Sequence, residues 1–125
     1  MRKTELQRFR KLLSAEKERV TQSLADREKT IKGRDDRSGQ KMGKAHSNHL
    51  ADQGSDEFEY ENTIRLASSE GRYLYHIEEA LARIEDGSYG KCETCKDNIG
   101  LERLRALPYT RLCIECKEKE EAGRL

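Results

Sequence analysis

Along the first third of the chain, apolar residues recur at helical steps: Leu6, Phe9, Leu13, Val20, Leu24 and Ile31 fall three, four or seven positions apart, with charged residues between them. Thr4-Glu5-Leu6-Gln7 reads as a capping box, so a helix is predicted to start at Thr4. With no Gly or Pro before Gly33, it would run for roughly 28 residues, on the order of 42 Å. From Gly33 to Gly54 the pattern collapses into glycines and polar residues without period, and a loop is predicted. Ser55 reads as an N-cap, followed by Asp56, Glu57, Glu59 and Glu61, which suit the positive end of a helix dipole. The seam of this second helix is Leu74, Ile77, Leu81 and Ile84, a 3-4-3 repeat that continues backwards through Ala67, Thr63 and Tyr60. Gly71 weakens the helix by about 1 kcal/mol, and Asp86-Gly87 ends it with a C-cap glycine.

Neither stripe is wide enough to stand alone in water. Two helices of similar length joined by a polar loop bury both stripes most simply as an antiparallel hairpin. The expected fold is therefore mainly α: a coiled-coil hairpin over 1–86 with a tip loop at about 33–54, then a small lobe over 87–125 closed by a short helix near Lys117 to Ala122.

The lobe holds all four cysteines. Cys92-Glu93-Thr94-Cys95 is followed after seventeen residues by Cys113-Ile114-Glu115-Cys116. Two thiolates two residues apart grip one tetrahedral ion through a tight knuckle, and two knuckles complete a four-thiolate shell with no open position, which is a structural zinc site and not a catalytic one. A rubredoxin-like iron site shares the ligand count, but Lys96 and Lys117 stand where such knuckles usually carry small residues. Two disulfides or two redox C-x-x-C pairs would also use four cysteines at this spacing. Met1-Arg2-Lys3-Thr4-Glu5 shows no apolar leader, from which a reducing, cytoplasmic setting is expected.

Composition supports this division of labour. Charged residues make up 39% and hydrophobic ones 34%, with no Trp, too polar for one large core, so a metal and a narrow helical seam must substitute for it. A net charge of +1, and eight basic against seven acidic residues from Gly87 onward, give no field that favours DNA or an anionic membrane. No apolar run reaches the length of a membrane span.

Further candidate chemistry is sparse. No nucleophile elbow or phosphate-binding glycine loop is present, and an enzyme is not expected. His46 and His49, three apart, could bind a second metal with Asp52, but solvated loop histidines are the favoured reading. His76 lies beside the seam and reads as a surface residue. Asp56 and Glu57 read as helix-start carboxylates, whereas Asp52 precedes the expected helix at the tip, where a carboxylate could be delivered into a narrow cavity.

Tyr89-Gly90-x-Cys92-Glu93-x-Cys95, Ile99-Gly100, Arg103-Leu104-x-Ala106-x-Pro108 and Leu112-Cys113-Ile114-x-Cys116-Lys117 together resemble the DksA/TraR family of bacterial transcription regulators. The likeness extends more loosely to Leu6-Gln7-x-Phe9-Arg10-Lys11-x-Leu13. It implies a monomeric protein that binds RNA polymerase and not promoter DNA, inserting its coiled-coil tip through the secondary channel toward the catalytic magnesium. The family's Asp-x-x-Asp-x-Ala tip motif falls on His49, Asp52 and Gly54, so the resemblance carries over the second acidic position alone. Of the basic positions linked to the alarmone ppGpp, Lys117 is matched, while His76 and Leu107 stand where basic residues would be; a ppGpp response is not carried over. The competing reading is a zinc-finger adaptor whose hairpin binds a different protein groove. Direct nucleic-acid binding would require a strongly salt-dependent affinity that the balanced charge does not lead one to expect.

Overall fold

The computed structural model describes residues 1–40 and 50–123, with side chains outside 34–55. Four helices follow in order: α1 (Lys3–Gln40), α2 (Leu50–Asp86), α3 (Leu101–Ala106) and α4 (Ile114–Glu121). Among the described residues there is no strand, only an isolated antiparallel bridge between Lys91 and Asn98. The mainly helical hairpin with a four-cysteine lobe is the expected architecture.

The helix ends differ from expectation. Thr4 lies inside α1, which is helical from Lys3, with the Leu6 amide bonded to the Arg2 carbonyl at 3.0 Å; Thr4 is thus not the N-cap. At the other end α1 continues through Gly33 to Gln40, and α2 already runs from Leu50, so Ser55 is no cap and the expected loop of 33–54 is helical over 34–40 and 50–54. An isolated glycine costs a helix only about 1 kcal/mol, and it stops one by adopting a left-handed conformation. Gly33 does not adopt it, whereas Gly87, at φ 85°, does. There α2 ends as expected: the Ser88 amide reaches back to the Arg83 carbonyl (3.0 Å), and Asp86 Oδ1 accepts from the Ser88 amide (2.8 Å) and hydroxyl (2.6 Å). Those bonds, the hydroxyl's first, hold the Asp86 carboxyl below its usual range.

Two compact units make up the chain. One comprises Met1–Glu18 and Leu74–Leu125. Within it Phe9, Leu13, Ile77, Ala80 and Ile84 are buried, and the Arg10–Glu85 ion pair (2.7 Å) marks an antiparallel register. The seam of α2 here is centred on Ile77, Ala80 and Ile84; Leu74 and Leu81 are half-buried flanks. Alanine's small side chain is a weak hydrophobic signal, which is why the period passed over Ala80.

The other unit is Arg19–Tyr73. Val20 is buried in it, and Glu70 Oε1 of α2 accepts from Ser23 Oγ (3.0 Å) and Arg27 Nε (2.9 Å) of α1, again an antiparallel pairing. No helix among the described residues is long and apolar enough to cross a membrane.

Candidate metal centre

The lobe's first knuckle is a reversed turn made by backbone bonds. Ile99 N–H donates to the Gly90 carbonyl and Cys92 N–H to the Asp97 carbonyl, both at 2.8 Å, and Lys96 N–H returns to the Cys92 carbonyl at 3.0 Å. Lys96 adopts φ 66°, a left-handed conformation rare for a side-chain-bearing residue, and it turns the chain straight after Cys95. The second knuckle is a helix start. Cys113 is the N-cap of α4, Cys116 lies in its first turn, and Lys117 N–H bonds to the Cys113 carbonyl at 2.9 Å. The terminal helix thus begins earlier than Lys117, because it includes the second ligand of the pair. One further backbone bond, Glu93 N–H to the Arg111 carbonyl at 3.0 Å, ties the knuckles together.

This brings the Sγ atoms of Cys92, Cys95, Cys113 and Cys116 within 4.8 Å of one another. All four are free of disulfides, and Cys95 and Cys113 lie 3.7 Å apart. A tetrahedron of thiolates with zinc–sulfur bonds of about 2.3 Å has sulfur–sulfur edges of about 3.8 Å, while a disulfide needs about 2.05 Å. The spacing fits a four-thiolate zinc site and excludes crosslinking in this arrangement. Burial is uneven, with Cys92 and Cys116 enclosed, Cys113 half-buried and Cys95 exposed.

The electrostatics also call for a cation. Burial pushes the Cys92 thiol up, but N–H groups of Cys113, Cys95 and Thr94 outweigh it and bring the thiol down to about 6. Burial and the neighbouring sulfurs, Cys113 first, push Cys116 up to about 12. At Cys95 the Asp97 N–H favours the thiolate, yet desolvation and the adjacent Cys92 and Cys113 sulfurs raise it overall. One thiolate therefore opposes the next, and a divalent ion at their centre removes the conflict.

Around the ligands, side chains to which the sequence assigned no role at the metal site hold the loop before Cys113. Tyr89, buried against Phe9 with ring centroids 5.5 Å apart, donates its hydroxyl to the Pro108 carbonyl at 2.8 Å. Burial raises that phenol to about 12, so it stays a donor. Arg83 Nη2 donates to the carbonyls of Tyr109 (3.1 Å) and Thr110 (3.4 Å), and Arg103 Nε to that of Leu112 (3.0 Å). An ionic chain links Arg83 to Glu93 (3.7 Å), Glu93 to Arg111 (3.5 Å) and Arg111 to Glu120 (2.6 Å). The Arg111 hydrogen bond comes first among the causes that hold Glu120 below its ordinary value. A sequence clue existed: Pro108 announces irregular backbone, whose carbonyls need donors.

The remaining expected site residues lie elsewhere. His49 and His46 are outside the described residues; Asp52 and Gly54 belong to the α2 backbone, in the Arg19–Tyr73 unit. Lys117 is half-buried in α4 beside Cys116 and pairs with Glu120 at 3.6 Å. His76 is exposed, stacked on Tyr109 with centroids 6.4 Å apart.

Comparison with known proteins converges on this lobe and extends beyond it. Residues 87–122 match the prokaryotic dksA/traR C4-type zinc finger. The RNA polymerase-binding transcription factor DksA of Escherichia coli K12 is 30% identical over 129 residues, covering 98% of this chain and 80% of its own length. The protein of the same description from Caulobacter vibrioides is 38% identical over 82 residues, covering 64% of this chain but only 58% of its own length. Among solved structures, transcription factor DksA2 from Pseudomonas aeruginosa superposes with a TM-score of 0.75 at 28% identity, covering 97% of this chain and 86% of its own.

Proposed function

The chain belongs to the DksA/TraR family of C4 zinc-finger proteins, and from that premise we propose that it is a regulator of transcription that binds RNA polymerase. The observation that carries this reading is the alignment of 98% of the chain with the Escherichia coli RNA polymerase-binding factor, which matches hairpin and finger together. A closed four-thiolate site offers no position for a substrate, which supports a binding function over catalysis. Zinc, held by Cys92, Cys95, Cys113 and Cys116, would act as an internal brace for the lobe.

In this reading the protein works as a cytoplasmic monomer, without sequence-specific DNA contacts, by passing the tip of its hairpin into the polymerase's secondary channel. Asp52 is then the effector residue. A carboxylate delivered into a poorly screened cavity perturbs a nearby magnesium or the mobile elements around it through charge and hydrogen bonding. His49 and Gly54 occupy the two motif positions where the family commonly carries Asp and Ala. Lys117 is the one retained basic position associated with ppGpp, and the reading does not require that ligand.

Asp52→Asn keeps the shape and removes the charge. The variant is expected to bind purified RNA polymerase as the parent does but to lose most of its effect in multi-round transcription from a ribosomal-type promoter, and His49→Asp is expected to gain effect. An Asp52→Asn protein that regulates like the parent, or that no longer binds polymerase, would contradict the assignment of the tip.

A further inference from the structure

Five consecutive carbonyls, from Pro108 to Leu112, are each taken by a donor from another segment of the same unit. The donors are the Tyr89 hydroxyl, Arg83 Nη2 for both Tyr109 and Thr110, the Glu93 amide, and Arg103 Nε. The stretch they fix leads directly into Cys113. Irregular backbone of this kind has no ladder of its own, and bonds from a guanidinium are roughly twice as strong as neutral ones.

Among the side-chain donors, Arg83 joins the knuckle of the first cysteine pair to the stretch that leads into the second. It is 8% exposed, a burial that a charged side chain tolerates only with partners. One branch, Nη2, holds the two carbonyls upstream of the second pair; the other, Nη1, faces Glu93 Oε1 at 3.7 Å, between Cys92 and Cys95. Its own carbonyl accepts from the Ser88 and Tyr89 amides at 3.0 and 3.1 Å, which fixes where α2 stops and the lobe begins. A planar fork with fixed donor directions can span these partners at once, and a lysine ammonium cannot.

We propose that Arg83 is a positioning residue for the zinc centre: its buried guanidinium sets the separation of the two cysteine pairs, so the protein's hold on the metal depends on a side chain of α2. This rests on the zinc site and not on the polymerase reading, and its failure would leave that reading intact.

The test uses the full-length chain with Arg83→Met, Arg83→Lys and Glu93→Gln. Zinc affinity is measured by competition with a chromogenic chelator, and ligand geometry by the visible absorption of the cobalt-substituted protein. Loss of a group that orients metal ligands typically weakens binding about 10- to 100-fold, and Arg83→Met is expected in that range, with weakened cobalt bands but one metal still bound per chain. Arg83→Lys, which keeps the attraction to Glu93 and loses the fork, should fall between Arg83→Met and the parent, and Glu93→Gln should weaken affinity by less than about 10-fold. A clamp that merely supports the fold would lower the melting temperature, and affinity with it because the lobe folds around its metal, yet leave the cobalt spectrum of the metal-saturated protein at parental values, and that result overturns the proposal. If Arg83→Met does not fold, Arg83→Lys decides: weakened cobalt bands in the metal-saturated protein support the proposal, and a parental spectrum overturns it.

Discussion

Within Arg19–Tyr73, Val20 alone among the described apolar side chains is fully buried, and the polar trio of Ser23, Arg27 and Glu70 joins the helices. The unit of Met1–Glu18 and Leu74–Leu125 instead encloses Phe9, Leu13, Ile77, Leu104 and Leu112, and adds a four-cysteine site and a loop whose carbonyls are held by arginines. The first region depends on a narrow seam in which a polar group can specify register. The second concentrates its order in a small volume, where a metal supplies what a core of that size cannot. A highly charged chain can therefore be well ordered around its finger while the rest of the hairpin is held by little apolar burial.

Removing zinc should separate the two regions most sharply. Structural zinc in comparable peptides contributes roughly 10 to 16 kcal/mol of apparent binding free energy, so chelation or Cys92→Ser should abolish hydrogen-exchange protection at 90–116 while leaving most protection within 19–73. Equal loss in both regions would mean that the finger does not hold its own order. The next largest effect is expected from the seam. Ile77→Asp places a carboxylate at a position with no solvent exposure and should cost at least about 3 kcal/mol in thermal or urea unfolding. Leu81→Asp, at a half-buried flank, should splay the helices with a smaller loss. A reversed order of those two variants would contradict the observed seam.

Gly90 gives a smaller and more local test. It sits at φ 87°, and an added Cβ would lie 2.7 Å from Met1 Cε. The methionine end can move away; the backbone conformation cannot be relieved as easily. Gly90→Ala should therefore cost about 1 to 2 kcal/mol, read in the melting of the zinc-loaded protein. Smallest of all is Glu70→Gln. It weakens the charge-assisted bonds to Arg27 and Ser23, while Oε2 is buried with no hydrogen-bond partner among the described residues, so a loss of about 1 kcal/mol is expected.

Much of this was legible in the residues themselves. The cysteine spacing predicts the metal site because two residues between thiolates is a local geometric requirement, and Gly87 marks the end of α2 because only a residue at ease with positive φ closes a helix that way. Gly33 and Ser55 misled for a related reason: a glycine or serine permits a helix end without compelling one, and neighbouring turns can run straight through. Arg83 and Arg103 were not legible as donors, since nothing in local spacing says which distant carbonyls a long side chain will reach. α3 was missed because its six residues show too little period to read.

Binding to RNA polymerase is the claim on which the functional account turns, and equilibrium competition tests it most directly. Purified zinc-loaded protein is titrated against purified polymerase carrying a labelled ligand known to occupy the secondary channel. The account predicts complete, saturable displacement at one protein per polymerase, with Asp52→Asn displacing as well as the parent. Binding that leaves the labelled ligand in place, or no binding at all, would contradict it.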